Sequence, residues 1–251
     1  MTNNLLASLV SGSAIPVKRH GVSGVVSGGG ASFTPSSISD LLAWWDFSDL
    51  DTIDKSESNL ISKVDDKSGN GYHLTQDTDA NKPTWQDDDR NGLDTADFGS
   101  AGFMKANWTA LSQPHVVFGV CYMPPSSSVN QDNIYDTYSG GDSGGGFANS
   151  DSDTLVIYSA TDLSASSSGF TATWAYFCHT YGASGNLRMN GVSKATGNTG
   201  TVTYNGITMN RHRSSATYGD IVAGEFGVYS TVPSSEDIAL LETYLSDKWG
   251  F

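Results

Sequence analysis

Residues 65–76 read DDKSGNGYHLTQ, and the acids and amides there have the spacing of a calcium loop. Counted from Asp66, Ser68 and Asn70 fall at the third and fifth positions, Gly71 at the sixth and Asp77 at the twelfth. An EF-hand has that order, with a bidentate Glu last and a helix on either side. Here the last position is Asp, and the flanks NLISKV and YHLTQ read as strands. A turn in which Asp and Asn side chains bond their own backbone uses the same residues. That turn is the expected role. Calcium on Asp66, Ser68, Asn70 and Asp77 is the alternative, and no other cofactor is expected.

Sugar recognition needs aromatic faces for the apolar side of a pyranose and carboxylates or amides for its hydroxyls. The stretch 126–149, SSSVNQDNIYDTYSGGDSGGGFAN, offers Asp132, Tyr135 and Tyr138 among many glycines. Its plainer reading is a long connection with both tyrosines packed back on a sheet. Arg211 and Arg213, flanking His212, concentrate positive charge that would clamp a carboxylate or sulfate of an acidic polysaccharide. Pairing with nearby Asp is the competing use.

Catalytic constellations are harder to assemble. Retaining glycoside hydrolysis needs two carboxylates about 5 Å apart, at i and i+2 or i+4 of one strand. The four Glu are Glu57, Glu225, Glu236 and Glu242, and no strand pairs two of them. Tyr176, His179 and Tyr181 with Arg211 or Arg213 have the residue types of a lyase, without a diagnostic spacing. There is neither a His-Glu-x-x-His helix nor a Gly-x-Ser-x-Gly elbow. The chain is therefore expected not to be an enzyme.

Composition narrows the partners. Thirteen Lys and Arg against 27 Asp and Glu give a net charge of -14, which repels a polyphosphate, so nucleic acid is not expected. The clusters Asp65–Asp66 and Asp87–Asp88–Asp89 read as solvated loops, with a divalent-cation site as the alternative. Cys121 and Cys178 lie in apolar segments and read as buried free thiols, though a disulfide between paired strands stays open. No run is long enough to cross a bilayer, and LLASLV lacks the preceding basic residues of a secretory signal.

These residues need elements to hold them. Low charge (16%), 28 Gly and many Ser, Thr, Asn and Asp between apolar runs predict short strands joined by turns. Strands are expected at 42–47, 115–123, 154–158, 171–180, 187–189, 200–205 and 221–229. In the last, Val222, Phe226 and Val228 fall on one face, the expected core, and Ala223, Glu225 and Tyr229 on the other. A short helical turn is expected from Ser37, with Asp40 completing its cap. SSEDIALLETYLSDKWGF predicts one amphipathic helix, capped by Ser234 and Asp237 and stopped at Gly250. Residues 1–35 form a Gly/Ser/Val-rich arm without a core of its own, so its order is expected to come from whatever surface it docks on. Residues 36–251 form the globular domain.

LLAWWDFSDLDTI, VDDKSGNGYHLTQ, KPTW, NGLDTADFGSAGFM, LRMNGV and GDIVAGEFGVYSTVPSSEDIALLETYLSDKWG, taken in order, resemble concanavalin A-like, laminin-G-like jelly rolls of bacterial and phage surface proteins. The resemblance runs over residues 38–251. It implies an all-β, two-sheet antiparallel jelly-roll sandwich with a short C-terminal helix and an extended N-terminal arm. It also implies that Glu225 points toward the concave face where relatives bind ligands, and that the Asp-Lys-Ser-Gly-Asn-Gly motif is a structural corner. The function expected is that of a non-enzymatic virion structural protein, a bacteriophage capsid decoration or tail-associated component at the virion surface. Val22, Val25 and Val26 would add the arm to other virion proteins or symmetry copies. The alternative is a carbohydrate-binding module that adheres to host or environmental glycans, with a polysaccharide-degrading enzyme behind it.

Overall fold

The structure is a computed structural model that describes residues 32–123, 132–138, 144–149, 154–166, 170 and 172–251. Val22, Val25 and Val26 lie outside the described residues. The strands are β1 (Leu41–Asp46), β2 (Ile53–Lys55), β3 (Ile61–Val64), β4 (Leu74–Thr75), β5 (Thr84–Arg90), β6 (Leu93–Asp97), β7 (Met104–Leu111), β8 (His115–Met123), β9 (Asp132–Asp136), β10 (Gly144–Asn149), β11 (Thr154–Ser159), β12 (Asp162–Ser166), β13 (Thr173–Tyr181), β14 (Gly185–Met189), β15 (Val192–Gly197), β16 (Tyr204–Met209) and β17 (Val222–Tyr229). One helix, α1 (Ser235–Trp249), follows them. The first sheet runs β15-β14-β13-β8-β17-β6-β5, with β1 also on β17, and the second runs β12-β11-β10-β9-β16-β7-β4-β3-β2. All the pairings of named strands are antiparallel, which makes the domain an all-β, jelly-roll sandwich closed by a C-terminal helix.

The two sheets meet over Trp45, Phe47, Trp108, Tyr135, Phe177, Phe226 and their neighbours. A second apolar layer lies on the far side of the first sheet, where Leu241, Leu245 and Trp249 of α1 cover Trp44, Val116, Phe118 and Val120. The central strands of the first sheet are thus buried on both faces. That is why β8, HVVFGVCYM, reads as an unbroken apolar run rather than an alternation: Val117 and Cys121 face the second sheet while Val116, Phe118 and Val120 face the helix. Both cysteines are buried and free, with Cys121 in the inter-sheet layer and Cys178 under the helix.

The helix ends match their sequence signals. Ser234 Oγ accepts the Asp237 N–H at 3.1 Å, and Gly250 closes the C-terminus in the left-handed region at φ 70°. Arg90 adds an outside clamp, donating from Nε and Nη2 to the Trp249 and Gly250 carbonyls at 2.9 Å each. Arg188 grips Glu242 with two parallel bonds of 2.9 and 2.7 Å, tying α1 to β14.

Strand β17 departs from simple alternation. Its register against β8 shifts between Ala223 and Glu225, so Gly224 is a bulge. A Cβ there would sit 2.7 Å from the Trp249 ring, so glycine makes room for the indole. The bulge changes which residues share a face. Ala223 joins Phe226 and Val228 in the inter-sheet core, and Val222 is only half-buried, correcting the expected grouping. Glu225 does point away from Phe226 and Val228, but it faces α1, fully buried, and not a concave ligand surface.

Three smaller corrections follow from local geometry. The short helical turn is Pro35–Ser37 with Thr34 as its cap, one turn ahead of the expected Ser37 start. Residues 200–203 are not strand, because Gly200 packs against the Ser159 carbonyl at φ 102°, and β16 begins at Tyr204. Asp87, Asp88 and Asp89 are exposed on β5, at the edge of the first sheet, and not in a loop. Charge on an edge strand discourages further pairing. No helix among the described residues is long and apolar enough to cross a membrane.

Candidate functional site

The calcium-like stretch is used by the fold as a corner. The Asp66 carboxylate accepts from Trp44 N and Ser68 N through Oδ1 (2.9 Å each) and from Tyr72 N through Oδ2 (2.9 Å), with Ser68 Oγ at 2.8 Å. Asn70 Nδ2 donates to the Leu41 and Leu42 carbonyls, both at 3.0 Å. Side chains of 66–70 thereby fasten the corner to β1. Asp77 is exposed beyond β4 and lines a cavity together with Gly71, Tyr72, His73 and Thr75 of the same stretch. Among the described residues, the acids whose ligand atoms converge within 4.8 Å are instead Asp87, Asp88 and Asp94.

Of the residues expected to touch a sugar, Tyr135 and Asp132 are buried. Tyr135 stacks on Phe177 (centroids 5.7 Å apart), and its hydroxyl meets Tyr181 Oη at 2.8 Å and His179 Nδ1 at 2.7 Å. It is core. Arg213 is spent on the buried Asp136, with Nη1 at 3.0 and 3.2 Å from the two carboxylate oxygens. A cleft of about 250 Å³ beside that pair is lined by Asn133, Phe147, Tyr158, Asp162 and His212. The lyase-type set is dispersed: His179 and Tyr181 lie inside the sandwich, Tyr176 is under the helix, and the arginines are elsewhere.

Tyr138 and Arg211 come together with residues the sequence did not single out. On β7, Met104, Ala106 and Trp108 enter the core, so alternation turns Lys105 and Asn107 to the outer face of the second sheet. Segment 137–138 crosses that face over β16, where Thr208 Oγ1 donates to the Thr137 carbonyl at 2.9 Å. Gly206 permits the crossing: a Cβ there would stand 2.6 Å from Tyr138 Cβ. Tyr138, Phe103, Tyr72, Lys105, Asn107, Thr75 and Asp77 then line a cavity of about 410 Å³. Lys105 Nζ lies 5.1 Å from the Tyr138 ring centre and 5.8 Å from that of Phe103. The Arg211 guanidinium sits 4.5 Å from the same Phe103 centre. Partial burial, then Arg211, hold the Lys105 pKa below its ordinary value, with Asp136 opposing weakly. The arrangement presents aromatic rings, an amide, a carboxylate and fixed positive charge around one concavity, the composition of a small-ligand site.

Architecture and site together define a β-sandwich with one face covered by a helix and the other carrying a polar and aromatic cavity. No protein-family model matches the chain, and no curated protein does. Solved structures match at the level of fold. The binding domain of Paraclostridial Mosquitocidal Protein 1 aligns with TM-score 0.59 and 14% identity, over 82% of this chain and 52% of that one. Domain 4 of an extracellular arabinanase from Geobacillus stearothermophilus, in complex with arabinotriose, aligns with TM-score 0.56 and 11% identity, over 81% and 98%. The ligand-binding domain of Botulinum neurotoxin serotype D, in complex with N-acetylneuraminic acid, aligns with TM-score 0.57 and 14% identity, over 83% and 52%. This chain spans about half the length of the two toxin domains.

The buried aromatic cluster around Tyr135 gives the domain a pH signature. His115 stacks on Tyr181 and Tyr204 (4.9 and 5.0 Å), and burial, partly offset by the Ser112 backbone, pushes its pKa down to about 4. Burial pushes His179 down to about 3. Below pH 6.5 the unfolded chain takes up protons that the folded chain refuses, so stability falls as pH drops from 6.5 toward 4. His115→Phe should flatten that fall by roughly 3 kcal/mol at pH 4 relative to pH 7. Urea unfolding of both proteins at the two pH values measures it.

Proposed function

We propose that this chain is a non-catalytic, glycan-binding β-sandwich of the concanavalin A-like type, with the cavity around Tyr138, Lys105 and Asn107 as its binding surface. The observation that carries the reading is the placement of that cavity on the sheet face that α1 leaves uncovered. Aromatic rings there suit the apolar face of a sugar ring, and Asn107, Thr75 and Asp77 suit its hydroxyls. The ligands bound by two structural neighbours, N-acetylneuraminic acid and arabinotriose, support a saccharide over other small molecules. The placement of the acids supports a binding role: Glu225 and Glu242 are committed to ion pairs beside the helix, and Glu57 and Glu236 are exposed away from the cavity.

A glycan array probed with the full chain, in calcium and again in chelator, tests the reading. Specific binding is expected, and Tyr138→Ala should weaken it at least tenfold, about 1.4 kcal/mol, without unfolding the domain. Binding that ignores Tyr138→Ala would place the site elsewhere.

The same proposal puts the module on the surface of an assembly, as a bacteriophage capsid or tail component would carry it, held through residues 1–35. The support is compositional: that segment is rich in Gly, Ser and Val, with Val22, Val25 and Val26 as small apolar contacts. Removing residues 1–31 should abolish assembly, read by light scattering, and leave glycan binding intact. A truncated chain that still assembles would contradict the assembly role.

A further inference from the structure

Lys105 and Arg211 are two of the five described cations, with Lys55, Arg90 and Lys194, that form no ion pair, and they share one ring. In a protein of net charge -14, Lys63, Lys67, Lys82, Arg188, Arg213 and Lys248 each pair with a carboxylate. Neither Lys105 nor Arg211 forms an ion pair with any described carboxylate. That ring, Phe103, lines the cavity with Lys105, so two like charges are held near each other beside it. Arg211 uses its Nε–H on the Ser215 carbonyl at 3.0 Å, which leaves its terminal amino groups without a described partner. Lys105 Nζ has one long contact, 3.4 Å to the Tyr138 carbonyl. Asp136 offsets the repulsion between these like charges only in part, since the Lys105 pKa stays below its ordinary value, and an anion entering the cavity would offset the rest.

We infer that the Lys105–Arg211 edge of the cavity is an anion subsite for the carboxylate of an acidic pyranose, of the sialic or uronic class. The inference rests on the reading of the cavity as a glycan site. A carboxylate fits better than a polyphosphate because the chain's net charge of -14 repels multiply charged anions. The planar Arg211 head matches a carboxylate, and Lys105 adds a point charge from the neighbouring position. The rings of Tyr138 and Phe103 then meet the uncharged face of the sugar.

The test compares matched ligands on the full chain by calorimetry: 3′-sialyllactose against lactose, and a galacturonate trimer against its carboxyl-reduced form. At least one acidic partner should bind about tenfold or more tightly than its neutral match, and the pair that discriminates identifies the sugar class. Lys105→Met and Arg211→Gln, each checked for an unchanged melting temperature, should each remove most of the preference, read as the ratio of acidic to neutral affinity. Equal binding of acidic and neutral partners, still lost in Tyr138→Ala, would overturn the anion subsite and leave the glycan site standing. A preference that survives both charge substitutions would overturn it as well. Absence of any saccharide binding would overturn both readings together.

Discussion

A single buried carboxylate, Glu225, sets the arrangement of the molecule. It is fully buried between the first sheet and α1 and receives four donors: Trp44 Nε1 at 2.6 Å, Tyr244 Oη at 3.0 Å, Lys248 Nζ at 2.8 Å and Trp249 Nε1 at 3.0 Å. Lys248 also meets Asp46 at 2.8 Å, and Asp46 meets Lys67 at 3.2 Å. Burial disfavours charge on Asp46, but Lys248 and Lys67 outweigh it and hold its pKa below the usual carboxylate value. Burial likewise works against Lys248, and Glu225 with Asp46 outweigh it in the opposite direction. Isolated, any of these charges would be costly in that environment; joined, they tie α1 to β17 and β1 through Tyr244, Lys248 and Trp249.

That placement divides labour between the sheets. The central strands of the first sheet are covered on both faces, since the sandwich core takes one and the helix the other. The second sheet keeps an outer face that α1 does not cover, which carries Lys105 and Asn107 and is crossed by the segment leading to Tyr138. Two glycines make the division possible at close range: Gly224 admits the Trp249 ring on the helix side, and Gly206 admits Tyr138 on the other. Each serves by lacking a side chain where another group must approach the backbone.

Much of the fold was legible locally because its signals are local. The residues of α1 carry their own caps at Ser234 and Gly250, and the apolar run 115–123 coincides with β8. What escaped depends on distant partners. The polar strand β5, TWQDDDR, lacks apolar alternation and is held by pairing with β6, so its acids read as loop. One bulge at Gly224 was enough to move Ala223 into the inter-sheet core, while Glu225 keeps its expected side and finds α1 there in place of a concave ligand face. Tyr138 and Arg211 were visible as residue types suited to a sugar acid. Their neighbour Lys105 was not, because only the register of β7 against β4 and β16 brings it beside them. Tyr135 looked equally suited and is core, a difference settled by the distant Phe177, His179 and Tyr181.

The dependence of the sandwich on its buried charge network is most directly measured by a double-mutant cycle on Glu225→Gln and Lys248→Met, followed by urea unfolding at pH 7. Two partners locked together under the helix should show a coupling energy of about 2–3 kcal/mol, with each single change strongly destabilising. A coupling under about 0.5 kcal/mol would mean that the apolar layer alone seats the helix and that the network is incidental to the fold.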